Sequence, residues 1–226
     1  MTKEELLDRY EALGEESDFL AARPLYEVAL AETPDARLLL EYGYLLECHG
    51  RNELRRAVEQ YERAIELDPG YDKPHYQLIS ARAGLQDAEL PVAVYERRLA
   101  QAPGQVREHR FLATAYVKAR AYERAREVAE AGLQLAPDDA ALIALCAEAR
   151  AGLGDPEGAL ADWRRALELD TEDIGPLYSS AFLLEREGRI PESTEAWRSI
   201  VRWNQEHDDT VHDAWPSGEL ERLQSA

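Results

Sequence analysis

The sequence predicts an all-α protein, a solenoid of about six helical hairpins followed by a C-terminal capping segment. Pro34, Pro69, Pro103 and Pro137 are separated by 35, 34 and 34 residues. A period of that size is typical of helical repeat arrays. Between these prolines, apolar residues recur at the three- and four-residue spacing of amphipathic helices. No segment alternates apolar and polar residues over a sustained run, so we expect no β-sheet.

The repeats divide the whole chain into units of two helices each. The predicted units are residues 3–36, 37–71, 72–105, 106–139, 140–173 and 174–207, with a cap over 208–226. We expect them to form one domain over residues 1–226, because a single hairpin cannot bury its apolar face and must share it with its neighbours.

The first unit is the least regular, as end units of solenoids often are. Its apolar spacing from Glu4 to Leu13 predicts one helix that Gly14 ends. A second helix carries Leu25 to Leu30. Pro24 falls within this second helix, so the helix is expected either to kink or to start late.

The later units repeat one pattern in their second helices. An alanine is followed four residues later by a large aromatic, as in Ala57 and Tyr61 or Ala159 and Trp163. Prolines stand where second helices begin, at Pro91, Pro156 and Pro191. Proline is tolerated there because the first-turn N–H is unpaired in any case. After the sixth unit, the amphipathic segment from Gly218 to Leu223 is expected to cover the last repeat.

Composition excludes several classes of function. A net charge of −19 disfavours binding to nucleic acids and to anionic membranes. No apolar run approaches the roughly 20 residues of a membrane span, and the acidic N-terminus is not a signal peptide. Cys48 and Cys146 are isolated, which indicates reduced thiols and a cytoplasmic location. Only three of the 26 basic residues are lysines, a bias typical of GC-rich bacterial genomes.

These patterns resemble the tetratricopeptide repeat. The best match is Leu112-Ala113-Tyr116-Tyr122-Ala125-Pro137, and further matches are Ala57-Tyr61-Ala64-Pro69 and Gly154-Asp155-Ala159-Trp163-Ala166. The resemblance covers nearly the whole chain. It implies a right-handed superhelical α-solenoid in which the first helices of the hairpins line a concave groove.

The sequence departs from the family pattern at two positions of the repeat. The family's tryptophan near the start of the first helix is replaced by Leu39, His75, His109, Ile143 and Leu177. Thr171 and Gln205 stand in place of the closing proline in the last two units. The paired Lys and Asn of the family's carboxylate clamp are not found, so binding of chaperone C-termini is not supported.

The spacing within the first helices gives a set of candidate partner-binding residues. They are Tyr44, Lys73, Tyr76, Ser80, Arg107, Arg110, Thr114, Lys118, Tyr178 and Phe182. Cations cluster in the third and fourth units, and aromatics flank them. This pattern suits a protein or peptide segment with acidic character, bound by Arg forks and aromatic anchors. The alternative interpretation is a solvated helix face whose cations relieve self-repulsion.

Three further groups have both a chemical and a structural interpretation. His75 and His109 occupy equivalent places in adjacent repeats and are either a metal or catalytic pair or packing residues. The segment from His207 to Asp213 has ligand-type residues for a divalent ion but is expected to be a polar loop. The acidic opening from Glu4 to Asp18 is either a contact for a basic partner or a solubilising face.

No catalytic motif is found, which favours a non-catalytic protein without metal or cofactor. The expected function is that of an adaptor or scaffold that binds a protein or peptide in the groove. The alternative is a ligand- or peptide-sensing protein that regulates an enzyme or a transcription factor. A cryptic enzyme using His75 or His109 and a self-assembling structural protein are further alternatives, and the oligomeric state stays open.

Overall fold

The computed structural model describes residues 16–48, 51–207 and 214–224. Within these ranges the regular structure is entirely helical and contains no strand, which confirms the all-α class. The helices are α1 (Glu16–Glu32), α2 (Ala36–Cys48), α3 (Arg51–Leu67), α4 (Asp72–Gly84), α5 (Glu89–Gln101), α6 (Val106–Lys118), α7 (Tyr122–Leu135), α8 (Ala140–Gly152), α9 (Pro156–Leu169), α10 (Gly175–Arg186), α11 (Ile190–Glu206) and α12 (Ala214–Gln224). None of these helices has the combined length and apolar character that a membrane crossing requires.

Three predictions lie wholly or partly outside these described ranges. They are the helix from Glu4 to Leu13 with its stop at Gly14, the acidic opening up to Asp18, and the polar segment after His207. For the other units, each predicted pair of helices is present at the predicted place. The predicted division into one domain stays a prediction.

The chain divides into two compact units, which meet in sequence within α5, between Arg98 and Leu99. In the first unit, α3 packs against α2 and α4. Tyr26, Leu39 and Tyr61 are fully buried in its core. Gly43 lies so close to the Tyr61 ring that a methyl group there would lie 2.8 Å from Cδ1 of that ring. Pro24 lies inside α1, which begins at Glu16, so the helix does not start late.

The second unit shows how small and large residues alternate in the core. Ala113, Ala147 and Ala181 are fully buried where first helices approach their partners. Trp163 and Trp197 fill the larger spaces between hairpins and are likewise buried. Each such ring contributes about 1.5–3 kcal/mol by leaving water. Stacked hairpins therefore gain stability that an isolated hairpin lacks.

The turns between paired helices have one geometry, which recurs every 34 residues. The backbone N–H groups of Asp87, Ala121, Asp155 and Arg189 donate to carbonyls five residues earlier, at 2.8–3.0 Å. The residue before each of these donors has a positive φ, and these residues are Gln86, Arg120, Gly154 and Gly188. This is the Schellman motif, which satisfies the last carbonyls of a helix and reverses the chain. It places every first helix at the same angle to its second helix.

Candidate functional site

The first helices of the second unit lie side by side, because α8 contacts both α6 and α10. Their side chains at the predicted groove positions define what we call the first-helix surface. It consists of Arg107, Arg110, Thr114 and Lys118 on α6, Ala141, Ala144, Glu148 and Ala151 on α8, and Tyr178 and Phe182 on α10. Six of the ten predicted site residues therefore lie on one surface.

Arg110 is held by a carboxylate of the next first helix. Its Nε donates to both carboxylate oxygens of Asp139 at 3.0 Å, and its Nη2 donates to Oδ2 as well. The Asp139 side chain is only 4% exposed and also caps α8 by accepting the N–H of Leu142 at 3.0 Å. A bidentate pair of this kind is geometrically specific. Arg110 thus joins α6 to the start of α8, a role that its sequence position alone did not indicate.

The other polar residues of α6 differ in their surroundings. The guanidinium of Arg107 lies 5.4 Å from the centre of the Phe111 ring, and its Nε is 3.9 Å from the Glu108 carboxylate. Thr114 donates its hydroxyl to the carbonyl of Arg110 at 2.8 Å. Lys118 is exposed at the end of α6. Among the predicted cations of this surface, Lys118 is the most accessible to a partner.

The middle of the first-helix surface is lined by small side chains. Ala141, Ala144 and Ala151 of α8 are partly exposed. Glu148 is the one long side chain of α8 on this surface, and it accepts a hydrogen bond from the Ser179 hydroxyl at 2.6 Å. The alanines form a low strip between the longer side chains of α6 and α10. Such a strip leaves room for side chains of a bound segment.

The α10 edge of the surface is aromatic. Phe182 is 47% exposed, and its ring lies edge-on to the buried Trp197 at 5.2 Å. Tyr178 also meets Trp197 edge-on, at 5.9 Å. Trp215 of α12 stacks on Tyr178 at 5.6 Å. Two tryptophan rings from two other helices thus contact the predicted anchor Tyr178.

The remaining predicted site residues lie in the first unit. Tyr44 on α2 is 44% exposed. Lys73, Tyr76 and Ser80 lie on α4, which contacts α2. Lys73 is exposed, and Tyr76 and Ser80 are partly buried. These four residues are placed on neighbouring first helices, as the spacing predicted.

His75 and His109 are packing residues in their respective units. His75 is buried, with Nδ1 2.9 Å from the Tyr95 hydroxyl. His109 is buried, with Nδ1 3.1 Å from the carbonyl of Gln105. Within the described part of the chain, no cluster of three or more metal-ligating side chains occurs. The packing interpretation of both histidines is therefore the one that the geometry favours.

Cys146 lies beneath the first-helix surface rather than on it. It is buried against Ala113, Ala129 and Leu142. Burial, together with the nearby Asp162 carboxylate, raises the pKa of the Cys146 thiol to about 11. At neutral pH this thiol is protonated, and a protonated thiol is neither a nucleophile nor a good metal ligand.

Sequence reasoning missed two residues that shape the surface, Asp139 and Trp215. Asp139 directly precedes α8, where an N-cap carboxylate is common. Its distance of 29 residues from Arg110 gave no sign of the ion pair. Trp215 stands 34 residues after Ala181, in phase with the repeat, in an otherwise polar stretch. That phase was the available signal for a residue facing the first helices.

Comparison with known proteins supports the fold. No family model matches the chain, and no curated protein matches it. The crystal structure of a thermophilic tetratricopeptide-repeat protein from Thermus thermophilus is similar, with a TM-score of 0.64 at 18% identity, over 84% of this chain and all of the other. A tetratricopeptide-repeat protein from Parabacteroides merdae has a TM-score of 0.53 at 13% identity, over 97% of this chain and 92% of the other.

A third similar structure is MamA from Desulfovibrio magneticus RS-1, with a TM-score of 0.50 at 22% identity, over 76% of this chain and 97% of the other. The expected resemblance is thus confirmed at the level of the fold. By its helical hairpins, its 34-residue turns and these similarities, the chain is a tetratricopeptide-repeat protein.

Proposed function

We propose that this chain is a non-catalytic adaptor or scaffold whose first helices form a groove for a protein or peptide segment. The observation that carries the proposal is Phe182, a large apolar side chain that is 47% exposed beside Tyr178 and next to the alanine strip of α8. Interfaces gain most of their binding energy from a few aromatic anchors in well-packed surroundings. A half-exposed ring at the edge of a low strip suits such an anchor point.

The proposed acidic character of the partner rests on Lys118 and, to a lesser degree, on Arg107. Both lie on α6, on the side of the alanine strip opposite Phe182. Arg110 contributes less to a partner, because Asp139 already accepts its hydrogen bonds. The net charge of −19 supports a protein partner over a nucleic acid or an anionic membrane, and isolated cysteines support a cytoplasmic location.

The proposal is tested by affinity capture from native lysate, followed by mass spectrometry. Wild type is compared with Phe182→Ala and with Lys118→Glu. Each has a matched control on a second helix: Leu135→Ala, which removes a side chain that is 49% exposed, and Arg202→Glu, which reverses an exposed charge. Circular dichroism verifies that all five proteins have equal helicity.

We expect Phe182→Ala to reduce recovery of the partner at least tenfold and Lys118→Glu to reduce it severalfold. The two control variants should recover the partner as wild type does. Capture that is unaffected by Phe182→Ala but lost in Leu135→Ala would refute binding through the first helices. Loss in Phe182→Ala with normal capture by Lys118→Glu would retain the surface and refute the acidic character of the partner.

A further inference from the structure

The capping helix α12 adds an aromatic ring of the chain itself to the first-helix surface. Trp215 stacks on Tyr178 with centroids 5.6 Å apart and 8° between the planes. It lies 5.7 Å from the Phe182 ring and edge-on to Trp197 at 5.4 Å. These are the offset-stacked and edge-on geometries in which aromatic rings attract one another. Trp215 thus makes the contacts that an aromatic side chain of a partner would make with Tyr178 and Phe182.

The exposure of Trp215 distinguishes it from a core residue. It is 52% exposed, whereas Trp197 in the same cluster is fully buried. Large aromatic residues that serve packing are mostly enclosed. Trp215 covers Tyr178 and Phe182 from the solvent side and is not covered in turn. Its ring can therefore leave the cluster without opening the core of the unit.

The rest of α12 is anchored independently of Trp215. Leu220 and Leu223 pack against the buried group that includes Ile200. Arg222 donates to the Glu185 carboxylate at 2.6 Å. These anchors follow Trp215 by five to eight residues, which at 1.5 Å per residue is about 7–12 Å along the helix. Loss of the indole contact therefore leaves the attachment of the helix in place.

We propose that Tyr178 and Phe182 form a subsite for an aromatic side chain and that Trp215 is its in-chain occupant. The capping helix then competes with an aromatic residue of an incoming partner. The biological use of this subsite rests on the proposed function, whereas its existence does not. A partner binds only to the fraction of molecules in which Trp215 has left, so its apparent affinity is lowered by that fraction.

The test uses the purified full-length chain and N-acetyl-tryptophanamide as the probe, measured by saturation-transfer NMR. Trp215→Ala uncovers the subsite, and we expect it to bind the probe in the millimolar range, at least tenfold more tightly than wild type. Trp215→Phe keeps a ring in the subsite and should bind the probe as poorly as wild type. The double variant Trp215→Ala, Phe182→Ala should lose binding. N-acetyl-leucinamide serves as the non-aromatic control probe.

Trp203→Ala is the matched control for loss of a tryptophan, since Trp203 stacks on His207 outside this cluster. It should not gain probe binding. The proposal is overturned if Trp215→Ala binds the probe no better than wild type does, or if binding persists in the double variant. A failure here combined with partner capture that depends on Phe182 leaves the proposed function standing and makes Trp215 a packing residue. Probe binding without any captured partner has the opposite meaning.

Discussion

Replacing Arg120 by glycine is expected to stabilise the protein, because its backbone conformation disfavours any residue with a Cβ. Arg120 has a φ of 58°, at the turn position that glycine occupies in the next two repeats, where φ is 83° at Gly154 and 73° at Gly188. In this left-handed region, Cβ crowds the following carbonyl at a cost of about 1–2 kcal/mol. Glycine avoids this cost but loses about 0.4–1 kcal/mol more conformational freedom on folding. The expected net gain in the free energy of unfolding is about 0.5–1 kcal/mol.

The gain is measured by urea unfolding followed by circular dichroism, as a higher midpoint with an unchanged slope. In a chain of this size it corresponds to a rise in Tm of about 1–4 °C. The control is Ala119→Gly at the adjacent residue, whose φ is −81°. There glycine brings only the entropic cost, and we expect a loss of about 0.4–1 kcal/mol. The reverse change, Gly154→Ala, should destabilise by about 0.5–1 kcal/mol. An Arg120→Gly variant that is no more stable than wild type, or that shifts as Ala119→Gly does, would refute the reasoning.

Three further predictions concern the second unit. Gly132→Ala should destabilise by about 1–3 kcal/mol through overpacking, since its methyl group would lie 2.6 Å from a Leu142 methyl carbon. Gly104→Ala, with no atom within 4 Å, should not overpack, and urea midpoints that do not separate the two would contradict this. Asp139→Ala removes the cap of α8 and should cost about 1–3 kcal/mol in the same assay, whereas equal stability would show that the ion pair contributes nothing. In a Cys48→Ser background, iodoacetamide at pH 8 should label Cys146 about a hundredfold more slowly than an ordinary thiol, because the pKa of Cys146 is raised to about 11. Raising the pH toward 10 should accelerate native labelling steeply, and a rate already maximal at pH 8 would disprove the raised pKa.

The repeated features of the fold could be predicted from the sequence because each rests on local physics. Pro156 and Pro191 lie in the first turns of α9 and α11, where their missing N–H has no cost. Ala159 and Trp163 are both buried, as their four-residue spacing on one helix face required. Pro24 is the exception, since α1 continues through it. The packing of Tyr26 and Leu30 on the next hairpin outweighs the local preference of proline.

The contacts across the candidate surface could not be predicted in the same way, because they join residues far apart in sequence. Ser179 reaches Glu148 over 31 residues, and Arg222 reaches Glu185 over 37. Neither spacing equals the repeat period, so periodicity does not reveal these pairs. The start of α12 at Ala214 also departs from the phase of the repeats, which would place a seventh first helix near residue 208. The position of the Trp215 ring therefore depends on packing that only the structure provides.

Both kinds of predicted binding residue have competitors within the chain, and the two competitors differ in strength. With 45 acidic and 26 basic residues, an arginine in this protein readily finds a carboxylate, as Arg110 does in Asp139. A partner that took over Arg110 would leave the buried Asp139 carboxylate without its charge partner, which is costly. A partner that displaced Trp215 would only transfer a half-exposed ring to water and replace its contacts with equivalent ones. Selectivity for a partner is therefore expected to reside at Tyr178 and Phe182, and the cation that contributes to it should be Lys118 rather than Arg110.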